Sequence, residues 1–144
     1  MKAIDFLNVA IRARTMQMYY HFCHNLVSGE TFFQDHEAFG EFYPALEGDY
    51  DRLVEYMIAT LGPKALDVKL VNESLFDELN KLKVDKLCCC EMFEKGLELE
   101  QEYVKALTKL DKMAPIGLRN LVGDLAEKSD VRTYKIKQRI KKEK

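Results

Sequence analysis

The stretch His24-Asn-Leu-Val-Ser-Gly-Glu-Thr-Phe-Phe-Gln-Asp-His36 (HNLVSGETFFQDH) holds two of the chain's three histidines, twelve residues apart. The third, His21, lies one turn before it. Upstream, Phe6, Val9, Ala13, Met16, Tyr20, Cys23 and Val27 step by threes and fours. That is one apolar stripe along a helix, expected over about 3–28. Ser28-Gly29 closes it, since glycine suits a left-handed cap. Downstream, Tyr43, Leu46, Tyr50, Leu53 and Met57 form a second stripe, which predicts a helix from near Gln34 to Leu61. Gly62-Pro63 ends it, and Pro44 inside it predicts a kink, with Gly40 placed to relieve the clash. The quoted stretch is therefore the turn of a helix hairpin.

The rest of the chain extends the pattern. Residues 62–83 are too long for a connection between neighbouring antiparallel helices. Their middle, Asn72 to Leu79, predicts a short extra helix in a crossover. Cys89, Met92, Gly96, Leu99, Tyr103, Ala106, Leu110 and Met113 give a third long stripe. Pro115 suits a first turn, and Leu118, Leu121, Leu125, Ser129, Arg132 and Ile136 give a fourth stripe that turns polar toward its end. Two long helices, a crossover and two more predict an all-α, ferritin-like four-helix bundle over a single domain, 1–144.

Composition narrows the function. A 47% hydrophobic and 32% charged chain reads as globular rather than disordered. The net charge of −2 does not make the whole protein a polyanion binder. No apolar run approaches the ~18 residues that suggest a membrane span. Cys23 and the run Cys88-Cys89-Cys90 contain no C-x-x-C pair, which predicts free thiols in a reducing cytoplasm, with one thiol of the run in the core and two on its flanks.

A ferritin-like bundle normally draws metal ligands from all four helices, with Glu-x-x-His on two of them. No Glu-x-x-His occurs here, and no histidine lies beyond His36. Any imidazole site must therefore come from the first hairpin. Asp51 and Glu55, four residues apart on the second helix, supply carboxylates on one face. His36 and Asp51 are offset by about 60° around that helix and lie more than about 20 Å apart along it. One chain cannot bring both ends onto one ion. Two copies packed antiparallel about a two-fold axis can. Two nitrogens and two carboxylates suit iron(II), zinc or manganese.

At these residues the chain resembles the Dps family, the DNA-binding proteins from starved cells or mini-ferritins. The match is carried by HNLVSGETFFQDHEAFGEFY, then Asp51-x-x-x-Glu55 and Leu61-Gly62, over about residues 18–62. The resemblance implies a dodecamer built from two-fold dimers. It implies iron(II) oxidation at inter-subunit sites, preferably by hydrogen peroxide, and storage of ferric mineral, with protection of DNA. It assigns His24 and His36 to one subunit and Asp51 and Glu55 to its partner, as ligands and catalytic residues. Three positions depart from the family pattern. Asn25 stands where a tryptophan is usual, Gly40 where an aspartate is frequent, and Pro44 interrupts a helix that is otherwise continuous.

Several groups admit a plainer reading. Glu47 could replace the carboxylate missing at Gly40, or simply be solvated. His21 reads as a supporting group or an additional ligand. Asp35 and Glu37 are expected to face solvent, and Glu100 to lie at the surface or in a buried pair. The basic run from Arg132 to Lys144 reads as a solvated helix end. Displayed in many copies, its Lys135, Lys137, Arg139, Lys141, Lys142 and Lys144 could also bind DNA without sequence preference. The alternative overall function is a ferritin-fold shell or interaction protein whose oxidation is weakened or lost and whose metal is structural.

Overall fold

All seven residues of the first stripe are buried, and the same burial arranges the rest of the chain. The computed structural model describes residues 1–142; Lys144, named above for DNA, lies outside them. The chain runs through α1 (Ala3–Leu26), α2 (Phe32–Leu61), α3 (Val68–Leu82), α4 (Cys89–Asp111) and α5 (Ile116–Ile140), with short 3-10 turns at Pro63–Ala65 and Val84–Lys86. No strand occurs among the described residues. α1 pairs with α2 and α4 with α5; α1 also packs on α4, and α3 lies against α1. This is a four-helix bundle with a fifth helix in the crossover. Each large apolar side chain buried in its core stabilises the fold by about 1.5–3 kcal/mol.

Local chemistry moves the predicted boundaries. α1 stops at Leu26, where the Val27 N–H bonds the Cys23 carbonyl at 2.9 Å, and Gly29 supplies the positive φ of +106°. α2 begins two residues earlier than predicted and continues past Pro44, which sits on the exposed side. The crossover helix is longer than Asn72–Leu79, because Asp67 caps it by accepting the Leu70 N–H at 3.0 Å.

The inward face of α4 differs from the predicted stripe. Met92, Gly96, Tyr103 and Leu110 are buried as expected, but Phe93, Glu100 and Leu107 are buried beside them. Leu99 and Ala106 are only half-buried, and Met113 is exposed. The helix is turned so that Glu100 enters the interior. α5 matches its predicted stripe throughout, including the polar Ser129 and Arg132.

Candidate metal centre

His24 sits in the last turn of α1 and His36 early in α2, so the short turn between them brings the two imidazoles together. Their rings stack with centroids 3.7 Å apart and planes 19° from parallel. His24 Nδ1 donates to the His36 carbonyl at 2.8 Å, and His36 Nδ1 donates to the His24 carbonyl at 2.8 Å. A carbonyl oxygen only accepts, so both Nδ1 atoms carry the proton. In the neutral rings each Nε2 then keeps its lone pair, the arrangement that orients metal-binding histidines. Among the described residues neither Nε2 is engaged. The His24 carbonyl belongs to a helix end, where such oxygens lack intrahelical partners.

The neighbours fix the pair further. Phe32 stacks on His36 at 5.0 Å, and Tyr43 meets His24 edge-on at 5.5 Å. His21 is exposed and stacks on the Tyr43 ring at 4.1 Å, where it buttresses that ring. A Cβ on Gly40 would stand 3.0 Å from His24 Cε1 and 3.1 Å from Nδ1. The missing side chain at position 40 is therefore the space the His24 ring occupies. Replacing Gly by Ala within a helix ordinarily stabilises it by about 1 kcal/mol. For Gly40→Ala we expect that gain to be offset by displacement of the ring, and cobalt(II) affinity, measured by absorption titration, to fall about tenfold.

Asp51 and Glu55 are exposed on α2, as is Glu47. Asp51 lies roughly 22 Å along the helix from His36 at 1.5 Å per residue. Among the described residues no three His, Cys, Asp or Glu side chains converge on a common ion position. The fold thus brings His24 and His36 together and leaves Asp51, Glu55 and Glu47 apart from them within one subunit.

A family model of the ferritin-like domain matches residues 7–143. The chain belongs to the ferritin-like family. A search of curated proteins finds no match. Ferritin-like proteins typically form oligomers, and the family relates the chain at a coarse level to iron storage and ferroxidase-type function.

Ferritin-like carboxylate proteins build their metal sites in the bundle core, and the core of this chain holds a closed polar cluster around Glu100. Glu100 accepts Tyr20 Oη at 2.6 Å, Ser129 Oγ at 2.7 Å and Arg132 Nε at 2.9 and 3.1 Å. Its hydrogen-bonding capacity is filled, and the positive charge beside it is a guanidinium. Gly96 makes room for this arrangement, since a Cβ there would lie 3.1 Å from the Tyr20 ring. Nearby, Tyr103 donates to Asp49 at 3.0 Å. The other oxygen of Asp49 and Arg132 Nη2 are buried without partners. An ion at the centre would have to displace Arg132 from Glu100, so the donor set does not fit a metal there.

Burial raises the Asp49 pKa above its ordinary 3.8, against the lowering effects of Arg132 and the Tyr103 hydroxyl. A carboxyl raised on folding contributes stability that is full below the unfolded value and is lost as pH rises through the folded one. Urea unfolding from pH 4 upward should therefore show wild type losing stability relative to Asp49→Asn. Parallel pH profiles for the two proteins would contradict this.

Two expectations need correction. Asp35 does not face solvent: it is 1% exposed and held by Arg139 of α5, with Nε to Oδ1 at 2.8 Å and Nη2 to Oδ2 at 3.0 Å. Arg139 is consequently not a free cation for DNA. Of the three adjacent thiols, Cys89 is half-buried and packs against the core, while Cys88 and Cys90 are exposed on its flanks. No local pattern announces the Asp35 pair, because its partner lies 104 residues away.

Proposed function

We propose that this ferritin-like protein is a Dps-type ferroxidase and iron store, active as a dodecamer of two-fold dimers in the cytoplasm. His24 and His36 of one subunit and Asp51 and Glu55 of its partner bind iron(II) as substrate. One hydrogen peroxide takes two electrons from two iron(II) ions and, with two protons, leaves as two waters. Removing peroxide in this way limits radical damage to DNA. The observation that carries the reading is the histidine pair, with both Nδ1–H groups tied to carbonyls and both Nε2 atoms free. Exposure of Asp51 and Glu55 on the same helix supports their supply to another copy. Iron fits this donor set, as do zinc and manganese.

The test is anaerobic iron(II) plus peroxide. Wild type is expected to oxidise iron rapidly and form soluble ferric cores, and His36→Ala to do neither. A wild-type rate no faster than buffer would sink the proposal. That result would favour the second reading, a ferritin-fold shell with structurally bound zinc, whose motivating observations are Asn25 and the occupied space at Gly40.

Of the tail cations named for DNA, those left among the described residues are Lys135, Lys137, Lys141 and Lys142. All four are exposed, with Lys135 only 3.9 Å from Glu41. Truncating residues 132–144 would be a poor test, because Arg132 and Arg139 hold interior pairs. Neutralising the four lysines to Gln should instead abolish any salt-sensitive gel shift while leaving the fold unchanged. A shift that survives would remove this face from DNA binding.

A further inference from the structure

Arg139 is in the last turn of α5, yet its side chain serves the start of α2. Beyond the two bonds to Asp35, its Nη2 donates to Thr31 Oγ1 at 2.9 Å. Thr31 in turn donates to Asp35 Oδ2 at 2.6 Å. Thr31 is the residue that precedes α2, but its side chain makes no capping bond to the helix backbone. A triangle of Thr31, Asp35 and Arg139 stands in place of the ordinary cap. The guanidinium is itself held on its other sides: Nη2 lies 3.5 Å from the Cys89 sulfur, Nη1 lies 3.9 Å from the Cys90 sulfur, and the Phe93 ring is 5.3 Å away.

We propose that Arg139 is a positioning residue for the histidine pair. His36 follows Asp35 directly, so the carboxylate that Arg139 holds fixes the turn from which His36 projects. His36 also supplies the carbonyl that orients His24, and accepts its own orientation from the His24 carbonyl. One clamp therefore sets both rings. The fork matters as well as the charge, because a bidentate guanidinium fixes the plane of the carboxylate whereas an ammonium does not. If Arg139 is removed, the almost fully buried Asp35 loses its cation. Its carboxylate then keeps only the Thr31 hydroxyl, and a buried charge without its counter-ion is destabilising, which loosens the first turns of α2. The last turn of α5 thus belongs to the metal hairpin. This role rests on the metal reading of that hairpin.

The experiment compares wild type, Arg139→Gln, Arg139→Lys and Ile136→Ala as assembled oligomers. Ile136 is a fully buried core residue of the same helix whose aliphatic side chain makes no hydrogen bond to the triangle. Deuterium exchange at the imidazole C2 of His24 and His36, read by mass spectrometry without metal, reports the rings directly. Cobalt(II) titration reports the site. Arg139→Gln should speed exchange at both histidines several-fold and weaken cobalt binding about tenfold. Arg139→Lys should fall between it and wild type. Ile136→Ala should lower the melting temperature at least as far and leave both readouts unchanged. Wild-type exchange and affinity in Arg139→Gln would overturn the proposal, as would the same changes appearing in Ile136→Ala. A wild type that binds no cobalt would instead overturn the metal reading, and the exchange arm would still decide whether Arg139 holds the rings.

Discussion

Mixing His36→Ala subunits with Asp51→Ala subunits is expected to restore iron oxidation that neither variant has alone. Under the proposed two-fold geometry, each site takes its imidazoles from one subunit and its carboxylates from the other. A dimer of His36→Ala is broken at both sites, and so is a dimer of Asp51→Ala. A mixed dimer has one doubly broken site and one intact site. Random reassembly of equal amounts makes half the dimers mixed, so activity should return to about a quarter of wild type under two-fold symmetry. Stopped-flow oxidation on the remixed oligomer measures it. Activity that stays at the level of the separate variants would mean that His36 and Asp51 do not meet across the interface. The experiment needs no assumption about the oligomer beyond the dimer.

The largest stability effect is expected at the bundle centre. Glu100 is fully buried and Arg132 is nearly so. Arg132→Met leaves the Glu100 carboxylate with Tyr20 and Ser129 but no cation. Breaking a buried pair by removing one partner costs about 3–5 kcal/mol. The double variant Glu100→Gln with Arg132→Met removes both charges and should recover most of that loss in urea unfolding. A double variant as unstable as Arg132→Met alone would show that packing of the arginine stem, rather than its charge, holds the centre. Because the interior charge is a guanidinium, neither variant should change cobalt binding at the histidine hairpin.

The two halves of the candidate site differ in how legible they were. The spacing of His24 and His36 about a glycine turn was readable, because a hairpin fixes the distance between its flanking residues. The proton positions were not, since they depend on carbonyls that face the rings only after the helices pair. Gly40 looked like relief for Pro44, or like a lost carboxylate. The folded chain shows the His24 ring resting there. Asp35 looked solvated because it is polar and sits beside a turn. Its burial follows from α5 laying Arg139 over it.

By itself the sequence determined the four long helices, the crossover and the hairpin that carries the imidazoles. Apolar periodicity and Gly/Pro punctuation are local properties, so they survive without knowledge of neighbours. Tertiary structure decided what those patterns left degenerate. It rotated α4 so that Glu100 rather than Leu99 faces inward, because only the assembled bundle offers Glu100 the Tyr20, Ser129 and Arg132 partners that offset its desolvation. It also turned part of a basic helix end into the clamp on Asp35. A charge run shows how many cations are present, but which of them are spent depends on carboxylates brought from the far end of the chain.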